Sequence, residues 1–173
     1  MPDESPKNWK PTTCDGCGQT TTYLQPLDRG TSDIVKSMAN AVWREGKNDI
    51  EISKRMVVNP SAGHETAESY AAMIAQGLMT PSMRNNISKA RAHGLLAKVR
   101  ESSGHWLLTT KGADFLCGKR IPKYAVMSKA EKKQIGYLDD GTPGCETTVG
   151  ELKGAYWDIP TFGAKIQNLN LGI

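Results

Sequence analysis

The sequence is poor in the features that mark secreted and membrane proteins. Its 173 residues include only four cysteines, too few for a disulfide-built scaffold, and in a reducing compartment these would be thiols or metal ligands. No apolar run approaches the roughly 18 residues that a membrane-spanning helix needs. Residues 1–6 carry neither the basic flank nor the apolar stretch of a signal peptide. We therefore expect a cytoplasmic protein with no membrane partner.

The sequence also lacks the short motifs that carry common catalytic chemistry. It contains no phosphate-binding G-x-x-x-x-G-K-S/T loop, no G-x-S-x-G nucleophile motif and no H-E-x-x-H helix. Asp139, Asp140 and Asp158 would suit a nuclease metal, but they lie in loop-like sequence with no Glu-x-Lys partner nearby. We expect a binding protein and not an enzyme, with a small nuclease as a distant alternative.

Positive charge is concentrated in one part of the chain. The net charge is +4, yet residues 84–133 hold 12 Lys/Arg against 3 Asp/Glu, whereas residues 1–83 and 134–173 are both net acidic. A local field of one sign attracts partners of the opposite sign. Nucleic acid is the partner that this distribution predicts, and a solvated basic face with no partner is the alternative.

Composition divides the chain into four segments. Three prolines and few apolar residues mark 1–13 as a flexible tail, and a Cys-x-x-Cys pair makes 14–29 a zinc-knuckle-like segment. Residues 30–127 carry the periodic apolar patterns of a main domain. Residues 128–173 are polar and turn-rich and are expected to form an irregular C-terminal extension.

Apolar periodicity predicts three helices within the main domain. They cover about residues 32–44, 64–78 and 81–93. Thr31 or Ser32 is the expected N-cap of the first helix, because a hydroxyl there accepts a hydrogen bond from the first turn. A glycine follows the first and third helices and is expected to end each of them.

The apolar period changes to two after the third helix. Residues 95–100 alternate between apolar and polar side chains, 102–104 supply a turn, and 105–109 form a second strand. Together these residues predict a β-hairpin. A short helix over 111–117 and an extended stretch over 121–127 are expected to follow.

Two stretches of this region resemble winged-helix proteins. Residues 86–96 read NISKARAHGLL, which resembles the recognition helix of that family and the turn that leaves it. Residues 104–116 read GHWLLTTKGADFL, and their G-x-W-x-x-T-x-x-G-x-x-F-L pattern resembles a wing strand that runs into a closing helix. The sequence resemblance is good over 80–127, whereas over 14–79 only the order of the segments along the chain is similar.

The chain as a whole is similar to uncharacterised phage and prokaryotic winged-helix proteins that carry an N-terminal Cys-x-x-Cys and a G-x-x-(V/I)-P-K segment, here GKRIPK at 118–123. The resemblance implies an α+β fold. Its core would be a winged helix-turn-helix of three helices and a hairpin wing, with a small Cys-x-x-Cys appendage and the irregular extension. Winged helices bind DNA, RNA or proteins, so the fold leaves the function open.

Two functions fit this resemblance. The first is nucleic-acid binding, with duplex DNA as the favoured target, in transcription or genome regulation by a phage or mobile element. The second is a protein-interaction module that docks on a host nucleic-acid machine, such as a polymerase or a defence complex, and inhibits or redirects it. The basic segment favours the first.

Helical projection gives the third helix one apolar side and one polar side. Met83, Ile87 and Ala90 share the packing side, and arginine and asparagine on the opposite arc are suited to guanine and adenine edges. Trp106 on the hairpin is expected to be a core anchor and not a base-stacking group. The residues predicted to bind nucleic acid are Arg84, Asn85, Ser88, Lys89, Arg91, Lys98, Arg100, Lys111, Lys119, Arg120 and Lys123.

Cys14 and Cys17, followed by Gly18, have the spacing of half a zinc site. A zinc ribbon needs a second such pair, and the sequence has none. The other thiols, Cys117 and Cys145, would have to reach the knuckle through the fold, or a histidine would have to replace one of them. We expect zinc as a cofactor held by Cys14, Cys17, Cys117 and Cys145, with free thiols as the alternative.

Overall fold

The fold is seen in a computed structural model that describes residues 11–52, 72–74, 76–100, 104–129, 131, 133–138 and 145–153. In chain order the elements are β1 (Thr22–Pro26), α1 (Arg29–Glu45), β2 (Ile50–Glu51), α2 (Pro81–Asn85), α3 (Ile87–Ala92), β3 (Leu96–Lys98), β4 (His105–Leu108), α4 (Thr110–Leu116), β5 (Ile121–Pro122), β6 (Tyr124–Ser128), β7 (Lys133–Tyr137), β8 (Glu146–Thr147) and α5 (Val149–Lys153). The paired strands are antiparallel. The α+β class expected from the sequence is therefore confirmed.

Some predicted features lie outside the described residues. They are residues 1–10 of the tail, most of the second helix, the hairpin tip at Ser102 and Ser103, and the acidic residues Asp139, Asp140 and Asp158. Of the second helix, residues 72–74 are described and are helical. Among the helices that are described, not one combines the length and the apolar character that crossing a membrane requires.

Helix α1 begins earlier than its apolar pattern predicts. Its N-cap is Asp28, whose Oδ1 accepts hydrogen bonds of 2.7 Å from both the backbone N–H and the hydroxyl of Thr31. The prediction of Thr31 or Ser32 as the cap is wrong, because the Asp28 carboxylate is the group that accepts from a free N–H of the first turn, that of Thr31. The predicted end is confirmed, since Gly46 follows the helix with a left-handed φ of 71°.

Helix α1 is the centre of the fold and is buried from Thr31 to Val42. Helices α2, α3, α4 and α5 and strand β4 all pack against it. Two of its buried polar side chains find acceptors on the neighbouring segment: Ser37 Oγ donates to the Leu78 carbonyl at 2.9 Å, and Asn40 Nδ2 donates to that of Ile74 at 3.0 Å. These bonds remove the free-energy cost of burying the polar groups.

The predicted hairpin is confirmed as strands β3 and β4. Lys98 of β3 lies opposite Trp106 of β4, and Ile50 of β2 lies opposite Trp106 on the other edge, which gives the sheet β2–β4–β3. Asn48 secures the end of β4. Its Nδ2 donates to the Leu108 carbonyl at 2.8 Å, and its Oδ1 accepts from the Leu108 N–H at 2.7 Å.

The predicted third helix is interrupted at Asn86 and forms two short helices, α2 and α3. Thr80 caps α2 as its position suggests, since its Oγ1 accepts from the Met83 N–H at 3.2 Å. At the interruption the Asn86 side chain occupies the space above Gly30 at the start of α1, where a Cβ on Gly30 would lie 2.8 Å from Asn86 Nδ2. Met83, Ile87 and Ala90, on the apolar side of the two helices, are buried as predicted.

A second sheet, β1–β6–β7, includes a strand that the sequence does not signal. Strand β7 lies where an irregular extension is expected, and its one large apolar side chain, Ile135, is 51% exposed. In the sheet, Tyr23 lies opposite Met127, and Met127 lies opposite Gln134. The sheet therefore joins residues of the knuckle-like segment, the main domain and the C-terminal extension.

The core is built on α1, the hairpin and α4. Leu95, Leu108, Phe115 and Leu116 are fully buried there. Strands β5 and β8 pair beyond α4, and α5 follows β8 and returns to pack on α1. This arrangement leaves one surface of α3 open between the two three-stranded sheets.

Candidate nucleic-acid interface

A pocket of about 380 Å³ lies between α2–α3 and the hairpin. Among the residues that line it are Arg84, Ile87, Ser88, Arg91, Lys98 and Trp106. We call it the hairpin pocket. Four residues that the sequence predicts as nucleic-acid ligands, Arg84, Ser88, Arg91 and Lys98, are thus brought together around one cavity.

Helical spacing explains why the helix residues of this set share a surface. Ser88 and Arg91 are three residues apart, so they lie on neighbouring turns of one face of α3. Ile87 and Ala90 are buried beside them, and Ile87 also lines the pocket from below Arg91, one turn earlier in the helix. Arg84 reaches the same pocket from α2, across the turn at Asn86.

Trp106 is partly buried and not the fully enclosed anchor that the sequence suggests. It packs against the core and also lines the hairpin pocket. The ammonium of Lys98 lies 5.5 Å from the centroid of the Trp106 ring, within the range of a cation–π contact. The pocket therefore has an aromatic surface with a cation beside it, which is the combination that stacks bases and binds phosphates.

Lys89 is directed to another part of the fold. Its Nζ lies 3.5 Å from Asp28 Oδ2 at the start of α1. Burial works to raise the pKa of Asp28, but the hydrogen bonds from Thr31 and the charge of Lys89 outweigh it, so the pKa lies below its ordinary value. Lys89 thus connects α3 to α1 and is not among the residues that line the hairpin pocket.

Lys119 and Arg120 also form ion pairs within the fold. Lys119 Nζ lies 3.7 Å from Asp114 Oδ2. Arg120 bridges Glu146, at 3.8 Å, and Glu151, at 2.9 Å, and so ties the end of α4 to α5. These pairs are exposed, and each is worth little to stability, but they partly neutralise two of the positive charges that a sequence count assigns to this region.

The remaining predicted ligands lie outside the hairpin pocket. The ammonium of Lys111 is 3.8 Å from the centroid of the Tyr137 ring, and burial lowers its pKa. Lys123 lies 5.6 Å from the centroid of the Tyr124 ring. The last two, Asn85 and Arg100, are exposed but are not among the pocket's lining residues.

A second cavity of about 480 Å³ lies on the other side of α3, between the helix and the sheet β1–β6–β7. We call it the sheet cleft. Ser88 and Arg91 border both cavities, so the exposed surface of α3 separates two adjoining sites. The residues that line the sheet cleft from the strands, and that the sequence did not single out, include Tyr23, Gln25, Lys133 and Gln134.

His93 closes the end of α3 and is 0% exposed. Neither of its ring nitrogens makes a hydrogen bond of good geometry to a described residue, although the Gln25 carbonyl is close enough to favour the charged ring. Burial, with a smaller contribution from the charge of Lys111, lowers the pKa of His93 to about 4. The ring is therefore neutral at pH 7 and serves packing, not phosphate binding.

Cys14 and Cys17 form a tight knuckle. The Cys14 N–H donates to the Gln19 carbonyl and the Gly18 N–H donates to the Cys14 carbonyl, both at 2.8 Å. The backbone N–H groups of Cys17 and Gly16, followed by the Cys17 thiol, hydrogen-bond the Cys14 sulfur and lower its pKa. Zinc binds the thiolate, so the lowered pKa of Cys14 favours the form that a metal would require.

The other two cysteines are in different surroundings. Cys117 follows α4, and burial, together with the charge of Asp114, raises the pKa of its thiol. Cys145 is buried, and its carbonyl accepts from the Lys123 N–H at 2.7 Å. In the part of the chain that the structure describes, no three His, Cys, Asp or Glu side chains are grouped to hold a metal ion. Zinc binding by the four cysteines stays a prediction.

The chain matches no protein-family model, no curated protein and no solved structure. Its function is therefore inferred from the geometry of the two cavities and from the chemistry of the side chains that line them.

Proposed function

We propose that the protein binds nucleic acid through the surface that α3 and the hairpin form, with duplex DNA as its main target. The observation that carries the proposal is the hairpin pocket, where Arg84 and Arg91 face Lys98 around a shared cavity. Two arginines and a lysine that converge on one cavity form a compact positive site. Such a site is suited to the closely spaced phosphates of a nucleic-acid backbone.

The order of elements supports a winged-helix mode of binding. A helix, a short strand, helical segments and a β-hairpin follow one another from α1 to β4, and β2, β4 and β3 form one antiparallel sheet. In helix-turn-helix proteins the recognition helix lies in the major groove while neighbouring elements contact the backbone. By this analogy α3 enters the groove and the hairpin is the wing.

The chemistry of the pocket gives each residue a role in this proposal. Arg91, on the exposed face of α3, is suited to a guanine edge, because a guanidinium can bond O6 and N7 together. Lys98, on the hairpin, is suited to a phosphate. Trp106 supplies an apolar surface for a sugar or a base between them.

The ion pairs within the fold reduce the number of residues that we expect to contact nucleic acid. Lys119 and Arg120 have acidic partners within the fold that partly neutralise their charge, so the proposal gives them no direct contact with the nucleic acid. Lys98 has the ring of Trp106 beside it. A protein of this kind, with no catalytic motif, would act in transcription or genome regulation by occupying its site.

The proposal is tested by measuring the affinity of the wild-type protein for duplex DNA, single-stranded DNA and RNA of equal length over a range of salt concentrations. We expect the duplex to bind best and its affinity to fall steeply with salt, with a log–log slope of about 0.9 for each phosphate contact. Absence of binding to all three at low salt would contradict the proposal. It would favour a module that docks on a host protein machine.

A further inference from the structure

The sheet cleft presents an exposed aromatic ring next to α3. Tyr23 of β1 is 41% exposed and lines the cleft, and its cross-strand neighbour Met127 lines it too. An exposed tyrosine is a stacking surface that is open to any of the four bases, because every base has a π-face. Nucleic-acid proteins use such rings mainly for unpaired bases, since paired bases are already stacked within the duplex.

Two cations border the same cleft. Arg91 reaches it from α3, and Lys133 reaches it from the first position of β7. The Lys133 side chain is exposed and forms no ion pair with an acidic residue among those described. The ring of Tyr23 and the two cations thus line one cavity. Sites for single-stranded nucleic acid combine the same two features, an aromatic ring that stacks on a base and cations that bind phosphates.

Two amide side chains complete the wall of the cleft. Gln25 and Tyr23 are two residues apart on β1, so they project from the same face of the sheet. Gln134 lies on β7, opposite Met127. An amide carries both a donor and an acceptor and can bond the polar edge of a base. The volume of about 480 Å³ lies within the range of small-ligand sites.

We propose that the sheet cleft binds an unpaired nucleotide of a strand that continues from the duplex at the hairpin pocket. This inference rests on the proposed function, because Ser88 and Arg91 border both cavities and a strand can pass from one to the other over α3. The preferred ligand is therefore a junction between duplex and single strand, and not a uniform duplex.

The roles of the residues follow from their positions. Tyr23 stacks on the unpaired base, and Gln25 and Gln134 bond its edge. Arg91 keeps its place at the last base pair of the duplex, and Lys133 binds a phosphate of the single strand. A single stacked base contributes roughly 1–3 kcal/mol in such sites, which corresponds to a preference of about five- to 150-fold.

The test compares three probes at one salt concentration: a blunt duplex, the same duplex with a short 3′ overhang, and the same duplex with a short 5′ overhang. We expect wild-type protein to bind one of the overhang probes about tenfold more tightly than the blunt probe. Tyr23→Ala should abolish this preference and leave the blunt-duplex affinity unchanged, whereas Tyr23→Phe should keep the preference because it retains the ring.

A matched pair of lysine variants on the same sheet tests the phosphate contact. Lys133→Gln should reduce the preference. Lys129→Gln removes the same charge from the end of β6, where the ammonium donates to Thr20 Oγ1 at 2.8 Å, and should leave the preference intact. Thermal unfolding of each variant shows that the fold survives, as expected for exposed side chains.

The possible outcomes separate the two proposals. Equal wild-type affinity for blunt and overhang probes would overturn the inference and leave duplex binding in place, as would a preference that survives Tyr23→Ala. If Tyr23→Ala lost the overhang preference and also the affinity for blunt duplex, the inference would be overturned too, since the cleft would then not be a separate site. No binding to any probe would overturn the proposed function and this inference together.

Discussion

The ammonium of Lys111 lies 3.8 Å from the centroid of the Tyr137 ring, and the hydroxyl of Tyr137 donates to the Ala92 carbonyl at 3.3 Å. These two contacts fasten β7 to α4 and to the end of α3. Burial raises the pKa of Tyr137 and lowers that of Lys111, as expected for two polar groups that are half enclosed together. Tyr137 therefore holds the sheet β1–β6–β7 against α3 and maintains the sheet cleft.

Removal of the Tyr137 ring should loosen this attachment. We expect Tyr137→Ala to lower the free energy of unfolding by about 2 kcal/mol, because it removes a half-buried ring and a cation–π contact. Tyr137→Phe keeps the ring and should cost about 1 kcal/mol or less, for the hydrogen bond alone. Urea unfolding measures both, and equal losses in the two variants would show that the ring's contact with Lys111 does not stabilise the fold.

Gly112 lies where α4 approaches the hairpin. A Cβ there would collide with the Leu95 carbonyl oxygen and lie 2.9 Å from Leu108 Cδ1. The Leu95 carbonyl cannot move freely, because it accepts from the Thr109 N–H at 3.2 Å. We expect Gly112→Ala to destabilise the protein by on the order of 2–3 kcal/mol, although alanine is the better helix former.

The control for this variant is Gly136→Ala in β7, where a Cβ would have no atom within 4 Å. Thermal unfolding should show a large loss for the first variant and little change for the second. A melting temperature of Gly112→Ala equal to that of the wild type would contradict the close approach of α4 to the hairpin.

Stability should fall as the solution becomes acidic, because of His93. The pKa of His93 is about 4 in the folded protein, against an ordinary value of 6.5, so the unfolded chain takes up the proton first. The neutral His93 ring contributes fully to the free energy of unfolding above pH 6.5, and this contribution is lost progressively toward pH 4. Between pH 7 and pH 5 the loss is about 2 kcal/mol. Urea unfolding at the two pH values measures this loss, and His93→Gln should remove that part of it. An unchanged pH dependence in the variant would exclude His93 as the cause.

The cysteines should differ in reactivity. The thiolate is the reactive form, so Cys14, with its lowered pKa, should react with iodoacetamide at pH 7.5 faster than Cys117, whose pKa is raised and which is partly buried. Added zinc should slow the labelling of Cys14 and Cys17 together, as mass spectrometry can measure. Protection that extends to Cys117 and Cys145 would support the four-cysteine site. No protection at the knuckle would refute the predicted zinc site.

Elements with local signals could be predicted from the sequence. The hairpin and the end of α1 at Gly46 follow from short-range periodicity and from a residue suited to a left-handed turn. The break at Asn86 could not be predicted, since the apolar pattern runs through it, and the contact of Asn86 with Gly30, 56 positions away in the chain, is visible only in the fold. Strand β7 could not be predicted because its apolar pattern is weak, with Ile135 and Tyr137 set in an otherwise polar stretch.

The same distinction applies to the candidate site. Helical spacing groups Ser88 with Arg91, and the hairpin pattern places Lys98 on a neighbouring element, so the hairpin pocket could be anticipated. Counting charges cannot tell Lys98 from Lys119, because the acidic partner of Lys119 is found only in the folded chain. The sheet cleft could not be anticipated without β7, since half of its wall comes from that strand and from β1.

The central claim, that nucleic acid binds at the hairpin pocket, is tested most directly by the salt dependence of duplex binding in two matched double variants. Arg84→Gln/Lys98→Gln removes two charges from the pocket, and Lys119→Gln/Arg120→Gln removes two charges that are paired within the fold. We predict that the log–log slope falls by about 1.8 in the first variant, for two lost phosphate contacts, and stays near the wild-type value in the second. Equal slopes in the two variants, or a larger loss in the second, would contradict the account.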